Sequence, residues 1–203
     1  MNLNYSASLV ELFAIQLPGH ETRFNEILHT GMKVVVNELF EEFKFLLNKP
    51  FILFGHSLGA LICFELIQRL QKNSLNLPHH LIVSGCRAPH LALNHKPIRD
   101  VVDPEFIIEL IKYNGAPDYE TYQSSEKSLL PFDITALAGN NDSLVSDKEI
   151  QGWGQYTSLN CNYFSIAGDH FFITSARSKV LSIIESIIEK IINKNTHDLK
   201  NIQ

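Results

Sequence analysis

Cysteine is scarce in this chain, and it contains no long hydrophobic run. The three cysteines, Cys63, Cys86 and Cys161, lie far apart and are odd in number, which argues against a disulfide framework and predicts buried, reduced thiols. No apolar run reaches the roughly 18 residues that a membrane-spanning helix requires, and the first residues lack the basic and then apolar order of a signal peptide. Together these absences predict a cytoplasmic protein.

An excess of positive charge is also lacking. The 17 lysines and arginines are scattered along the chain and are outnumbered by 22 acidic residues, which gives a net charge of −5. A chain of this kind does not attract nucleic acid or an anionic membrane surface, so neither is expected as a partner. Its 203 residues, of which 45% are hydrophobic, are enough for one domain with a full hydrophobic core.

One short stretch has the pattern of a nucleophile elbow. The apolar run Phe51–Phe54 is followed by a Gly-x-Ser-x-Gly motif centred on Ser57 and then by an amphipathic helix over Leu61–Leu70. Such a turn lifts the serine hydroxyl above the end of a parallel sheet, at a helix N-terminus that favours negative charge. We expect Gly55 and Gly59 to be required because a Cβ atom would collide where the strand and helix approach each other. The flanking strand and helix favour an elbow over a simple packing turn.

The two partners that such a serine requires follow in the expected order. In α/β-hydrolases the chain order is Ser, then Asp or Glu, then His. The stretch 133–142 reads as an apolar strand, a glycine turn and the carboxylate Asp142, and the stretch 161–170 as a strand, a glycine turn and His170. Because parallel strands place their carboxyl ends at one edge of the sheet, Ser57, Asp142 and His170 are predicted to lie together there.

The remainder of the chain alternates strands and helices. Further strands are predicted over Val10–Gln16 and Leu81–Ser84, and helices over 32–47, 103–113, 146–156 (behind a capping box) and 180–192. This alternation predicts an α/β fold with a mostly parallel sheet covered by helices on both faces. We expect a single domain over residues 1–192 and a polar, frayed tail over 193–203.

Other ionisable side chains are given structural interpretations. Asp147 is interpreted as a helix cap, and Asp169 adjoins the histidine in sequence and is expected to point away from it. His56, directly before the elbow serine, is interpreted as a supporting residue, and Arg87 as part of a surface ion pair. The remaining histidines lack the spacing of metal ligands and are expected in surface loops: His79, His80, His90 and His95.

Five blocks of the sequence together resemble the type II thioesterases, stand-alone α/β-hydrolases that accompany nonribosomal peptide and polyketide synthases. The blocks are Leu17–Phe24, Phe54–Ala60, Val83–His90, Asn140–Val145 and Gly168–Phe172. The resemblance implies Ser57 as the nucleophile, Asp142 as the acid that orients the base, and His170 as the general base. The elbow would supply one oxyanion donor, the Leu58 backbone N–H.

The resemblance also implies a substrate class and a partner. Type II thioesterases release acyl groups from the phosphopantetheine arm of acyl or peptidyl carrier proteins, an editing or housekeeping role in antibiotic biosynthesis. This implies a monomeric enzyme with a carrier protein as its partner and with no cofactor or metal. Three alternatives stay open: a medium-chain fatty acyl-carrier-protein thioesterase, a general serine esterase, and a catalytically impaired remnant or carrier-binding module.

Two departures from the resembled family raise the third alternative. Only nine residues precede Val10, and they contain no glycine, whereas the family has a strand and a Gly-rich oxyanion loop there. The fold is therefore expected to be incomplete at its N-terminal side, and a start codon placed too late is the favoured explanation. The lid, at about 97–128, is also expected to be shorter than in the family and to leave an open, less selective site.

Overall fold

The computed structural model describes residues 10–19, 21–27, 31–45, 47–91, 124 and 128–200. The strands are β1 (Ile52–His56), β2 (His80–Ser84), β3 (Asp133–Gly139) and β4 (Cys161–Ile166). The α-helices are α1 (Met32–Phe43), α2 (Leu58–Lys72), α3 (Asp147–Gln151), α4 (Phe172–Ser175) and α5 (Arg177–Lys200). Two 3-10 helices cover Glu21–Arg23 and Gly152–Tyr156.

The four strands form one parallel sheet in the order β1-β2-β3-β4. In this sheet β2 and β3 are central and almost wholly buried, as expected for parallel strands whose sequences are nearly continuous apolar runs. All four carboxyl ends point the same way, so the loops after β1, β3 and β4 meet at one edge. The prediction of a parallel α/β sheet with these strands is confirmed.

Helices cover both faces of the sheet. On one face, α2 packs against side chains of β2 and β3, with Phe64 and Trp153 fully buried in that core. On the other face, the apolar stripe of α5, including Val180 and Ile183, packs on Ile82 of β2. Burial of a stripe of this kind is what keeps a surface helix in place. The fold is therefore the doubly covered sheet that the sequence predicts.

The predicted strand over Val10–Gln16 is wrong for this structure. Residues 10–17 form no regular secondary structure, and Leu12 and Phe13 are 85% and 59% exposed. A strand requires a neighbour for its backbone N–H and C=O groups. Among the described residues, β1 pairs only with β2, and Val10–Gln16 forms no ladder with any strand of the sheet.

Three further predictions differ from the structure or lie outside it. Helix α5 runs to Lys200, past residue 193 where we expected a frayed tail. The predicted helix 103–113 lies outside the described residues, as does nearly all of the expected lid over 97–128.

Among the described residues, no helix is both long and apolar enough to cross a membrane.

Candidate active site

The turn between β1 and α2 has the geometry of a nucleophile elbow. Ser57 has φ 52° and ψ −122°, a left-handed backbone conformation that side-chain-bearing residues rarely adopt. Its N–H donates to the carbonyl of Ser84 at 2.8 Å, which ties the turn to β2. A Cβ atom on Gly55 would overlap the carbonyl oxygen of Gly59, so glycine is required at position 55. A Cβ atom on Gly59 would meet nothing within 4 Å, so the predicted steric requirement at that position is wrong.

Asp142 lies in the loop after β3, in an almost closed environment. Its side chain is 1% exposed. Its Oδ1 accepts the backbone N–H groups of Leu144 at 2.8 Å and Val145 at 3.2 Å. These two donors fix the rotation of the carboxylate, which leaves Oδ2 directed at the neighbouring loop.

His170 lies in that neighbouring loop, after β4, and its Nδ1 is 2.8 Å from Oδ2 of Asp142. Because an ionised carboxylate can only accept, the proton of this bond belongs to Nδ1, and Nε2 of the neutral ring is an acceptor. The two loops are joined by Asn140, whose N–H donates to Ile166 and whose side chain accepts the N–H of Gly168. The acid and base predicted from the sequence are thus held together.

His56, the residue just before the elbow serine, packs against His170. The rings of His56 and His170 lie with their centroids 5.0 Å apart, at an angle of 46°.

Helix α2 begins at Leu58, so the Leu58 N–H is among the first helical N–H groups, which have no acceptor within the helix. Ser57, Leu58, Asp142 and His170 therefore all lie at the same end of the sheet, as predicted.

The two other carboxylates of these loops, Asp169 and Asp147, make local contacts. Oδ1 of Asp169 accepts the N–H of Phe171 at 2.8 Å and caps the turn before α4. Asp147 is the first residue of α3, and the cap of that helix is Ser146, which forms a complete capping box with Glu149. The capping box is confirmed, but its capping residue is Ser146 and not Asp147.

Two of the sequence interpretations of surface residues are wrong. His80 is buried in β2, where its Nε2 lies 2.8 Å from the hydroxyl of Thr135, because β2 begins one residue earlier than predicted. Arg87 is 5% exposed and so is not at the surface. His95 lies outside the described residues. In the part of the chain that the structure describes, no group of three or more His, Cys, Asp and Glu side chains is arranged to bind a metal ion.

Sequence reasoning gave no role to Ser84 and Gly85, which follow each other at the end of β2. Ser84 is fully buried and pairs with His56 across the β1–β2 ladder. Gly85 has φ +55°, which glycine adopts without strain. The sequence signals for these residues were their position in a Ser-Gly pair at the end of a predicted strand and in the block Val83–His90 that resembles the type II thioesterases.

His56 is kept uncharged in the folded protein. Burial, followed by the nearby His170, lowers the pKa of His56 to about 4, against the opposing effect of Asp142. Burial also lowers the pKa of His80. Both groups are therefore more readily protonated in the unfolded chain than in the folded protein.

Because of this difference, we expect the free energy of unfolding to fall at acid pH, and to fall less in a His56→Gln variant. The unfolded chain binds a proton at His56 near the ordinary pKa of 6.5, and the folded protein binds it only near pH 4. Between these values the unfolded state holds more protons, so the free energy of unfolding falls as the pH falls. At pH 5 the His56 contribution is a loss of about 2 kcal/mol relative to neutral pH.

Urea unfolding at pH 7.5 and pH 5 measures this loss. The wild-type chain should lose about 2 kcal/mol more than the His56→Gln variant between the two pH values. A His79→Gln variant, altered at an exposed histidine, is the matched control and should follow the wild type. Equal losses in all three proteins would contradict the prediction.

Comparison with known proteins shows similarity to thioesterase domains and to proteins of peptide antibiotic biosynthesis. Residues 2–131 match the family model described as thioesterase domain. Linear gramicidin dehydrogenase LgrE of Brevibacillus parabrevis is 34% identical over 200 aligned positions, which cover 86% of this chain and 76% of that protein. Gramicidin S biosynthesis protein GrsT of Aneurinibacillus migulanus is 32% identical over 197 positions, which cover 86% of this chain and 77% of that protein.

A solved structure agrees with the sequence relatives. The type II thioesterase BorB from the borrelidin biosynthetic cluster superposes with a TM-score of 0.72 at 29% sequence identity. The superposition covers 85% of this chain and 77% of that one.

Proposed function

Because the chain belongs to the thioesterase family of α/β-hydrolases and is a hydrolase of thioesters, we propose that Ser57, His170 and Asp142 are its catalytic triad. The observation that carries this proposal is the 2.8 Å bond from His170 to the buried Asp142, at the sheet edge that also presents the strained Ser57 turn. The bond fixes the tautomer in which Nε2 of His170 can accept a proton.

The proposed reaction has two steps, each using the same histidine. In the first step His170 Nε2 takes the Ser57 proton as Oγ attacks the thioester carbonyl, and the Leu58 N–H donates to the developing oxyanion. The C–S bond then breaks, and the proton passes from His170 to the leaving thiolate. In the second step His170 takes a proton from water as the water oxygen attacks the acyl-serine carbonyl. The acyl C–Oγ bond then breaks, and the proton passes from His170 to Ser57 Oγ as the free acid leaves.

The proposed substrate is an acyl group on the phosphopantetheine arm of a carrier protein in nonribosomal peptide or polyketide synthesis. Its support is the similarity to GrsT, named for gramicidin S biosynthesis, and to BorB, a type II thioesterase of the borrelidin cluster. The dehydrogenase activity in the name of LgrE is not proposed for this chain, because a serine elbow and an Asp142–His170 pair suit hydrolysis. The proposed role is the removal of misprimed or stalled acyl groups.

A general serine esterase would use the same triad, so substrate preference separates the two functions. We expect kcat/KM for an acetyl or short acyl carrier protein to exceed that for the p-nitrophenyl ester of the same acid by about 100-fold or more. Binding energy from the carrier and its arm, remote from the reacting bond, would provide this difference. Mass spectrometry of the carrier and absorbance of p-nitrophenol measure the two rates.

Two controls test the contribution of the carrier protein and the possibility that this chain binds the carrier without catalysing hydrolysis. The same acyl group on free pantetheine isolates the contribution of the carrier protein. Equal kcat/KM values for the carrier substrate and the nitrophenyl ester would favour the esterase. A folded chain that binds the carrier but is never labelled at Ser57 by a fluorophosphonate would contradict the proposed triad and favour a carrier-binding module.

A further inference from the structure

His56 directly precedes the proposed nucleophile in the chain and packs against the proposed base, and the proposed reaction gives it no role. It is the last residue of β1 and directly precedes Ser57. Its ring packs at 5.0 Å from the ring of His170 and, edge to face, at 5.9 Å from the ring of Phe172. One wall of the space that holds the His170 imidazole is therefore the His56 side chain.

A hydrogen bond from the neighbouring strand fixes the rotation of the His56 ring. Nδ1 of His56 lies 3.0 Å from Oγ of Ser84, which is fully buried and is the register partner of His56 in the β1–β2 ladder. Nε2 of His56 is buried, and the backbone of His170 is a second polar neighbour of the ring, which raises its pKa against the effect of burial. The bond to Ser84 is thus the side-chain hydrogen bond that orients this ring.

Gly85 lies against the imidazole rings of both His56 and His170. A Cβ atom on Gly85 would lie 2.9 Å from Cε1 of His56 and 3.3 Å from Cε1 of His170. Both rings therefore lie against the same glycine, and their packing depends on the absence of a side chain there. Any movement of the His56 ring toward His170 or away from it changes the room available to the base.

We propose that His56 is a positioning residue, whose ring is held by Ser84 and keeps the His170 imidazole aligned between Asp142 and Ser57. This inference rests on the proposed triad. The titratable groups that face His56 from the elements around it are His170 and Asp142. At neutral pH the ring is uncharged, so it provides packing and adds no positive charge beside His170 when that residue takes the serine proton.

The experiment separates positioning from folding by a series of variants. His56→Phe keeps an aromatic ring but leaves the Ser84 hydroxyl buried without its partner, and the double variant with Ser84→Ala removes that unpaired group. His56→Asn places an amide near the position of Nδ1 and can keep the bond to Ser84. His79→Asn, at an exposed histidine, is the control and should leave the activity unchanged.

We expect the double variant to fold and to lose roughly tenfold to 100-fold in kcat, because a small misplacement of a catalytic group has this effect. KM should change by less than about twofold, since His56 contributes no binding group in the proposed reaction. The rate of fluorophosphonate labelling at Ser57 should fall in parallel. The downfield proton NMR signal of the His170–Asp142 bond should broaden, and His56→Asn should recover part of each loss.

Two outcomes would overturn the inference. A folded double variant with wild-type kcat and labelling rate would show that His56 does not align the base. A loss confined to KM would assign His56 to substrate binding. Failure of the triad itself is distinguishable, because a Ser57→Ala variant would then stay active, whereas failure of positioning alone leaves Ser57→Ala inactive and the His56 variants active.

Discussion

Replacing Ser57 with alanine should lower kcat for an acyl-carrier thioester by about 10⁶-fold, the loss expected when a triad nucleophile is removed. Ser57 carries the one hydroxyl or thiol of the stretch Phe54–Ala60, so the acyl-serine intermediate requires it. The remaining rate would come from binding and from backbone donors such as the Leu58 N–H, which act without the nucleophile. Stopped-flow or discontinuous mass spectrometry of the carrier protein measures the loss.

The matched control for this substitution is Ser182→Ala. Ser182 is exposed on α5, and its hydroxyl donates to the carbonyl of Lys179 within the same helix. Its variant should keep wild-type kcat and should still be labelled by a fluorophosphonate. If Ser57→Ala kept more than about 1% of the activity, or if the label were found on another residue, the nucleophile would be wrongly assigned.

The sequence predicted the strands and the order of the site because these depend on local patterns. Mostly apolar runs identify β1, β2 and β3, whereas β4 is identified by its aromatic pair Tyr163-Phe164 ahead of a glycine turn. A glycine followed by a polar residue marks each of the loops that carry Asp142 and His170. The topological rule that parallel strands end at one edge then places Ser57, Asp142 and His170 together. None of these steps requires knowledge of long-range packing.

The features that the sequence did not predict depend on neighbours distant in the chain. Val10–Gln16 has the composition of a strand, but composition does not specify a partner, and among the described residues this stretch pairs with no strand. The partnership of His56 with Ser84 arises from the β1–β2 register, which joins residues 28 positions apart. Likewise, His80 lies buried at the start of β2, where its Nε2 meets the hydroxyl of Thr135 on β3.

Asp142→Asn should lower kcat by about 10⁴-fold without altering the fold, because the amide presents the wrong group to the base. The backbone N–H groups of Leu144 and Val145 both point at Oδ1, so the asparagine carbonyl oxygen must occupy that position. The NH₂ group then faces Nδ1 of His170. A donor opposite Nδ1 requires the proton to move to Nε2, where it blocks acceptance of the serine proton.

Asp169→Asn provides the matched control, since it makes the same chemical change one residue from the base. Its carboxylate accepts only the N–H of Phe171 among the bonds described, and an amide oxygen can do the same. We expect its kcat to stay within a few-fold of wild type. Equal losses in the Asp142 and Asp169 variants would assign the effect to disturbance of the loop. A larger loss of kcat in Asp169→Asn than in Asp142→Asn would show that Asp169 is the acid and that Asp142 is not. Only the carboxylate that fixes the His170 tautomer should control turnover so strongly.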